Sequence, residues 1–317
     1  KGSVDKPKIK WTHTQTAGAG NKGAYDSDLW KTSSYGHEFI DDNATKLLVH
    51  GDHHDADPTA GSSESNYHIV LNASSPYNTM YLNEATAGYG STHTVGTIFA
   101  WVYADSIHNY GALTGAGVWC LGGTATDSMV NFGVKLSNLV PFFQTGWSGG
   151  YINYWNTNLE LPKDEWASVA FVQNGSGTNG GVFYINGVTS GTNYINNGSG
   201  TALQQFHDFS YTIMTIGATN PGGGLDLHWR GKMSMVAHWG HASDTDAALS
   251  AAQILELHNA GRGKDLNTAG TLYTSNEINL LNDWWAFGNS TTGGTDTAST
   301  LYSHASGTGA IGQDMNN

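Results

Sequence analysis

The sequence predicts an all-β sandwich, and three observations support this prediction. Gly accounts for 42 of the 317 residues, and only 12% of the residues are charged. Short apolar runs recur along the middle of the chain, separated by segments rich in Gly, Asn, Ser and Asp. Such a composition and spacing are typical of many short strands joined by tight turns.

Three segments differ in composition. Residues 1–45 are polar with scattered aromatic residues, and they are predicted to form an N-terminal arm. Residues 46–265 hold the regular strand signals and form the predicted sandwich. Residues 266–317 are rich in Gly, Ser and Thr apart from an apolar run at 278–288, which reads as one more strand. We expect this C-terminal extension to pack on the sandwich or on a neighbouring subunit.

The predicted strands of the sandwich follow one another at intervals typical of an antiparallel arrangement. The run at 96–104 is apolar on both faces, as expected for a central strand. The full set of predicted strands is 46–51, 66–73, 78–84, 96–104, 117–123, 129–136, 139–146, 165–174, 181–187, 211–219 and 231–240.

A tight hairpin is predicted at Asn186-Gly187, because both residues tolerate the positive φ angles of a type I′ turn. The preceding strand should then direct Phe183 and Ile185 into the core.

One helix is predicted after this series of strands. Ser250 and Gln253 form a capping-box pattern, Ile254 and Leu257 share one face, and Gly261 suits the C-terminal end.

The order of these motifs over roughly residues 65–265 resembles the laminin-G-like, concanavalin A-like jelly rolls. The resemblance implies a jelly-roll sandwich closed by a short helix. It implies no single function, because lectins, glycanases, adhesins and structural virion proteins share this fold. The matching positions are Trp101, Trp166, Val169, Ala170, Tyr184, Asn186, Gly187, Gly231, Trp239, Leu249, Ser250, Gln253, Ile254, Leu257 and Gly261.

Charge and hydropathy exclude several function classes. The formal net charge is −13, from 13 basic and 26 acidic residues, and there is no basic run. We therefore expect no nucleic-acid partner. No apolar run approaches transmembrane length, so no membrane insertion is expected. Cys120 is the single cysteine, which rules out an intrachain disulfide and suits a buried, inert thiol.

No catalytic residue is predicted. Glycan cleavage requires two carboxylates that converge on one cleft, and no strand carries such a pair. The nearest acidic cluster, at 163–166, lies at a predicted turn. Nucleophile-elbow, phosphate-loop and dinucleotide motifs are absent from the sequence. The sequence thus predicts a protein that is not an enzyme and that requires no cofactor.

A Ca²⁺ site is one interpretation of Asp52, Asp55 and Asp57, whose alternating carboxylates lie in a His-rich segment. The spacing does not match an EF-hand loop. The other interpretation, which the charge pattern favours, is a solvated acidic loop.

Sugar binding is one interpretation of the segment 145–158, since exposed aromatic rings stack on sugars and amides bond to hydroxyls. The other interpretation is that these rings cover a sheet face or a subunit contact. The candidate carbohydrate-binding residues are Trp147, Tyr151, Tyr154, Trp155 and Asn156.

Three functions follow, in order of preference. Long polar termini and the absence of cofactor motifs favour a non-enzymatic structural or adhesive subunit of a virion, as a phage capsid, decoration or tail-associated protein, or of another extracellular assembly. Such a subunit would form homo-oligomers through its terminal arms at a virion or extracellular surface. The alternative is a carbohydrate-binding, lectin-like module, Ca²⁺-assisted or not. A glycan hydrolase is third.

Overall fold

A computed structural model describes the strands, the helices and much of the chain from residue 93 onward. The described residues are 30–33, 36–39, 69–71, 80–82, 93–104, 115–122, 129–135, 139–147, 150–156, 158–175, 181–190, 194–197, 213–219, 228–287, 300–301, 303–308, 310 and 315–316. The chain divides into two compact units, residues 1–56 and residues 57–317.

The strands of the described residues are short, as predicted. In chain order they are β1 (Trp30–Ser33), β2 (Gly36–Phe39), β3 (Ile69–Leu71), β4 (Met80–Leu82), β5 (Val95–Ala104), β6 (Gly115–Gly122), β7 (Met129–Lys135), β8 (Val140–Trp147), β9 (Gly150–Trp155), β10 (Trp166–Asn174), β11 (Gly181–Ile185), β12 (Tyr194–Asn197), β13 (Ile213–Ile216), β14 (Gly231–His241), β15 (Leu281–Ala286), β16 (Thr300–Leu301) and β17 (Met315–Asn316).

The second unit contains two antiparallel sheets. The described part of one sheet has six strands, in the order β11-β10-β5-β14-β15, with β3 also paired to β14. The described part of the other has nine, in the order β12-β9-β8-β7-β6-β13-β4-β17-β16. The first unit holds an antiparallel hairpin, in which β1 pairs with β2 from Trp30 opposite Phe39 to Ser33 opposite Gly36.

The main hydrophobic core lies between the two sheets. It takes its side chains from β6, β7, β8 and β13 on one side and from β5, β10, β11 and β14 on the other. Phe143 of the nine-stranded sheet stacks on Phe171 of the six-stranded sheet, with ring centroids 4.0 Å apart. Alternating side chains of each strand thus bury one face of each sheet in a common layer.

The six-stranded sheet is also buried on its other face. A second core lies between that face and the helices α1 (Ala251–Ala260) and α2 (Ser275–Asn279), together with the loops around them. This double burial explains why β5 is apolar on both faces.

Helix α1 begins and ends as the sequence predicts. Ser250 accepts from the backbone N–H of Gln253, whose side chain accepts from the Ser250 N–H. Ile254 and Leu257 are buried on the sheet, and Gly261 follows the last turn with φ of 78°. A reciprocal capping box is the expected start for a short helix.

The predicted hairpin is confirmed. Asn186 and Gly187 have φ angles of 52° and 75°, and Ile185 and Val188 exchange backbone hydrogen bonds across them. Phe183 and Ile185 lie in the core between the sheets.

The interpretation of 278–288 as one strand is wrong in its first part. Residues Ser275–Asn279 form α2, which Thr274 and Glu277 begin with a second capping box. The rest is β15, which pairs along β14 and buries Trp284 and Trp285 on its two opposite faces. This part of the C-terminal segment is therefore a strand of the six-stranded sheet, because each of its two faces adds a tryptophan to one of the two cores.

Candidate functional site

The segment predicted to bind sugars forms the end of β8 and all of β9. The two strands pair from Phe142 opposite Trp155 to Trp147 opposite Gly150. Strand β9 is absent from the predicted strands, because Gly and Asn interrupt its aromatic residues and disfavour a strand assignment.

The strand register divides the four candidate aromatic residues into two pairs. Tyr154 lies opposite Phe143, a buried residue of the core between the sheets. Trp147 lies four residues beyond Phe143 along β8, at a position of the same parity. Tyr151 and Trp155 lie at the alternate positions of β9, which belong to the other face of the sheet. The backbone thus brings Tyr151 and Trp155 to one face and separates them from the other two.

A row of uncharged polar residues crosses the nine-stranded sheet on that other face. Its members lie opposite one another in register, one from each strand, and each carries an amide, a hydroxyl or a thiol. We call this set the polar row: Asn196, Asn153, Gln144, Asn131, Cys120, Thr215, Tyr81, Asn316 and Thr300.

The polar row faces away from the six-stranded sheet. Phe132 and Phe143, which follow Asn131 and precede Gln144 along their strands, lie in the core between the sheets. Since neighbouring residues of a strand alternate between faces, the row belongs to the opposite face.

Burial changes along the polar row. Thr215, Cys120 and Asn131 are fully buried, whereas Gln144, one strand further, is only half-buried. The Thr215 hydroxyl donates to the Ala218 carbonyl over 2.7 Å. The row is therefore closed to solvent at β13, β6 and β7 and becomes accessible at β8, beside β9.

Asn131 marks the closed end of this accessible stretch. Neither the amide nitrogen nor the amide oxygen of its side chain has a hydrogen-bond partner among the described residues. A buried polar group without a partner costs about 1–3 kcal/mol. Such an amide can donate and accept hydrogen bonds from a small polar group placed beside it.

Strands β7, β8 and β9 carry one charged residue, Lys135. Lys135 lies at the end of β7 with the same parity as Asn131, and burial lowers the pKa of its ammonium group. The polar row itself carries no ionisable carboxylate or ammonium group, so hydrogen bonding dominates its chemistry.

Asn156, the fifth candidate residue, holds the chain after β9. Its side chain is fully buried, donates to the Ser190 carbonyl over 2.6 Å and accepts from the Asn158 backbone N–H over 3.0 Å. Both the Nδ2 and the Oδ1 atom of Asn156 thus form hydrogen bonds within the protein. In this structure Asn156 positions the chain after β9, and its part in sugar binding stays a prediction.

The candidate metal ligands Asp52, Asp55 and Asp57 lie outside the described residues. Within the part of the chain that the structure describes, no group of three His, Cys, Asp or Glu side chains could hold a metal ion. The acidic cluster before β10 contributes Asp164 and Glu165, both exposed at a turn. The Ca²⁺ site therefore stays a prediction.

The model of the concanavalin A-like lectin/glucanases superfamily, Laminin_G_3, matches residues 77–254, which is more than half of the chain. The chain belongs to this superfamily. The resemblance inferred from the motifs is thereby confirmed, and the two packed antiparallel sheets confirm the predicted all-β sandwich. Among curated proteins, none matches this member of the superfamily.

Several solved structures are similar to this superfamily member. The CBM40 of a Ruminococcus gnavus IT-sialidase, bound to α2,3-sialyllactose, is 11% identical with a TM-score of 0.38, covering 53% of this chain and 84% of its own. Domain 4 of the Geobacillus stearothermophilus GH43 arabinanase AbnA, in complex with arabinotriose, is 16% identical with a TM-score of 0.37, covering 60% and 76%. Domains LG4-5 of the mouse laminin α1 chain are 8% identical with a TM-score of 0.36, covering 59% and 44%.

Among the described helices, none is long and apolar enough to cross a membrane.

Proposed function

We propose that this protein is a non-catalytic carbohydrate-binding module that acts outside the cell. The proposed sugar site is centred on Gln144 of β8, where the polar row becomes accessible, and it includes Asn153, the register partner of Gln144 on β9. The observation that carries the proposal is the row itself, in which uncharged hydrogen-bonding residues succeed one another across the sheet and open to solvent at β8.

The chemistry of the row suits a polymer of hydroxyl groups. A primary amide offers two donors and an acceptor, so it can bond to a sugar hydroxyl in either direction. Tyr151 and Trp155 lie two residues before and after Asn153 in β9 and so belong to the same face as the amides. Aromatic rings beside amides provide the apolar and polar contacts that a sugar ring requires.

An assembly subunit, which the sequence alone favours, requires a different surface. The core of a stable protein interface is apolar and depleted of charge. Within the described residues, the exposed large apolar side chains are Val188, Leu255 and Leu272, three residues from separate segments. The virion role and homo-oligomer formation through the terminal segments stay predictions.

The test is glycan binding by the full chain, first on an array and then by titration calorimetry with the best glycan. Gln144→Leu and Trp155→Ala should each weaken binding by about tenfold or more, since each removes contacts of about 1.4 kcal/mol or above. Asn158→Ala is the matched amide control, because Asn158 is exposed beyond the end of β9. Trp147→Ala is the control for loss of an aromatic ring, because the position of Trp147 in β8 belongs to the other face of the sheet from Gln144.

Three results would count against the proposal. Failure to bind any glycan would favour a structural role, and equal losses for the control variants would place the site elsewhere. Release of reducing sugar that disappears in Asp164→Asn or Glu165→Gln would make the protein a hydrolase. A parallel titration with a chelator separates Ca²⁺-assisted from metal-free binding.

A further inference from the structure

A row of aromatic residues runs beside the polar row on the outer face of the nine-stranded sheet. Phe142 of β8 lies opposite Trp155 of β9, and Trp155 lies opposite Tyr194 of β12. Residues opposite one another in a sheet share a face, and Phe142 precedes Phe143 of the core. All three positions therefore belong to the outer face. We call Phe142, Trp155 and Tyr194 the aromatic row.

The aromatic row and the polar row are adjacent and parallel. Gln144, Asn153 and Asn196 of the polar row lie two residues along their strands from the members of the aromatic row. Two residues of a strand span about 7 Å, and neighbouring strands lie about 4.8 Å apart. Each of β8, β9 and β12 thus has one amide position beside one aromatic position, and the pair repeats from strand to strand.

Both rows are closed toward β7. Phe142 is only 6% exposed, and its Cε1 atom lies 2.9 Å from the place that a Cβ atom on Gly133 of β7 would take. The Phe142 ring therefore leans over Gly133. Asn131, the member of the polar row that follows Gln144 on the β7 side, is fully buried. A ligand that follows the rows therefore extends from Gln144 toward β12.

Strand β12 is the last strand at this end of the described sheet, where it pairs with β9. A peptide that added to this edge would run along β12 and use its backbone groups. The two rows instead cross the strands nearly at right angles. They favour a ligand that runs across the sheet and that side chains hold.

The strands that carry the rows set the charge of the ligand. Strands β8, β9 and β12 carry no charged residue, and the whole chain has a net charge of −13. An acidic glycan would find no cation on these strands and would be repelled by the protein as a whole. Amides exchange hydrogen bonds with hydroxyls in either direction. The rows therefore favour an uncharged glycan.

We infer that the ligand is a linear, uncharged polysaccharide that lies across β8, β9 and β12. The inference rests on the proposed function, and it adds Tyr194 and Asn196 to the binding residues. The face of a sugar ring is apolar and stacks on an aromatic ring, whereas its rim carries hydroxyls that bond to amides. The paired rows offer both contacts at successive strands, which suits a repeating chain better than a single terminal sugar.

The test is calorimetric titration of the full chain with single sugars and with linear oligomers of six rings. The neutral probes are the methyl glycosides and the β-1,4-linked hexamers of glucose, mannose and xylose, and hexagalacturonate is the charged probe. At least one neutral hexamer should bind about tenfold or more tightly than its single sugar, because the hexamer reaches all three strands. Hexagalacturonate should bind more weakly than that neutral hexamer.

Two variants on β12 test the path of the chain. Tyr194→Ala should weaken binding of the best neutral hexamer by about fivefold or more, because it removes a stacking surface. Asn196→Ala should weaken it by about threefold or more, because it removes the hydrogen bonds of one amide. Circular dichroism and thermal unfolding verify the fold of each variant.

Asn197→Ala is the matched control. Asn197 is the next residue of β12 after Asn196 and has the same amide, but its position, opposite Ile152, belongs to the other face of the sheet. Its effect on binding of the hexamer should stay within about twofold, which is less than the loss of one amide contact.

Four outcomes overturn the inference: no neutral hexamer binds more tightly than its single sugar, the two β12 variants bind the hexamer as the wild type does, the control loses as much affinity as Asn196→Ala, or hexagalacturonate is the tightest ligand. Gln144→Leu then distinguishes the two proposals. If it still weakens binding of the best ligand, the sugar site at Gln144 stands and only the path or the charge of the ligand is wrong. If it has no effect, or if no glycan binds, the proposed function fails as well.

Discussion

Replacement of Gly187 by alanine should destabilise the protein more than the turn conformation alone requires. Gly187 has a φ angle of 75°, where a residue with a Cβ atom costs about 1–2 kcal/mol. A Cβ atom there would also lie 2.8 Å from Leu255 Cδ1, 3.0 Å from Leu255 Cα and 3.2 Å from His258 Cβ. The Cα atom belongs to helix α1 and cannot rotate away. Forced overlap of this kind adds about 1–3 kcal/mol, so the expected loss is about 2–5 kcal/mol.

Gly175 provides the matched control. Its φ angle is 88°, yet a Cβ atom there would have no neighbour within 4 Å. Gly175→Ala should therefore cost only about 1–2 kcal/mol, from the backbone conformation alone. Urea unfolding of both variants, followed by tryptophan fluorescence, gives the two free-energy losses. Their difference measures the contact between the hairpin and the helix.

Equal losses for the two variants would refute the steric argument, because they would show that the helix can move away from the hairpin without cost. No loss for either variant would also refute the assignment of positive φ angles at these glycines.

Two further predictions concern buried polar side chains. Burial, and then the charge of His241, lower the pKa of His93 to about 4. Between about pH 6.5 and pH 4 the folded protein therefore binds fewer protons than the unfolded chain. The free energy of unfolding should fall by on the order of 3 kcal/mol as the pH drops through this window. Urea unfolding at several pH values from 7.5 to 4 gives the free energy of unfolding as a function of pH. This free energy should depend less steeply on pH in His93→Asn than in the wild-type protein, and an equal dependence would contradict the lowered pKa of His93. Asn131→Leu should raise the free energy of unfolding by about 1–2 kcal/mol, because it replaces a fully buried amide that has no partner among the described residues. A fall in stability would show that the amide is satisfied in the folded protein.

Local signals account for the elements that the sequence predicts correctly. The Asn186-Gly187 turn and the Ser250–Gln253 capping box depend on residues a few positions apart, so their geometry follows from short-range sterics and hydrogen bonds. A similar pattern, Thr274 and Glu277, marks the start of α2, and the sequence could have predicted that helix from it. The apolar run after it masked the pattern.

The arrangement of the candidate site could not be predicted from local signals. Tyr151 and Trp155 stand out in the sequence, but the sequence does not say which of the four aromatic residues share a face, because that depends on the pairing of β9 with β8. Asn131 and Gln144 are single amides within apolar strands. A single amide within an apolar strand indicates a functional or structural role. Whether the two amides lie side by side, however, depends on the register of β7 with β8. A shift of one residue would move either amide to the core face.

The sequence by itself determined the class of fold, the hairpin, the start and end of α1 and the superfamily, because alternation, turn residues and capping patterns are local and repeat along the chain. The tertiary structure alone decided which strands are neighbours. It brought nine strands into one polar row, placed β15 in the six-stranded sheet, and set Arg262, from the loop after α1, over the Trp166 ring of β10. The physical reason is that pairing between distant strands is selected by the burial of both faces of the whole sheet. No short stretch of sequence contains that information.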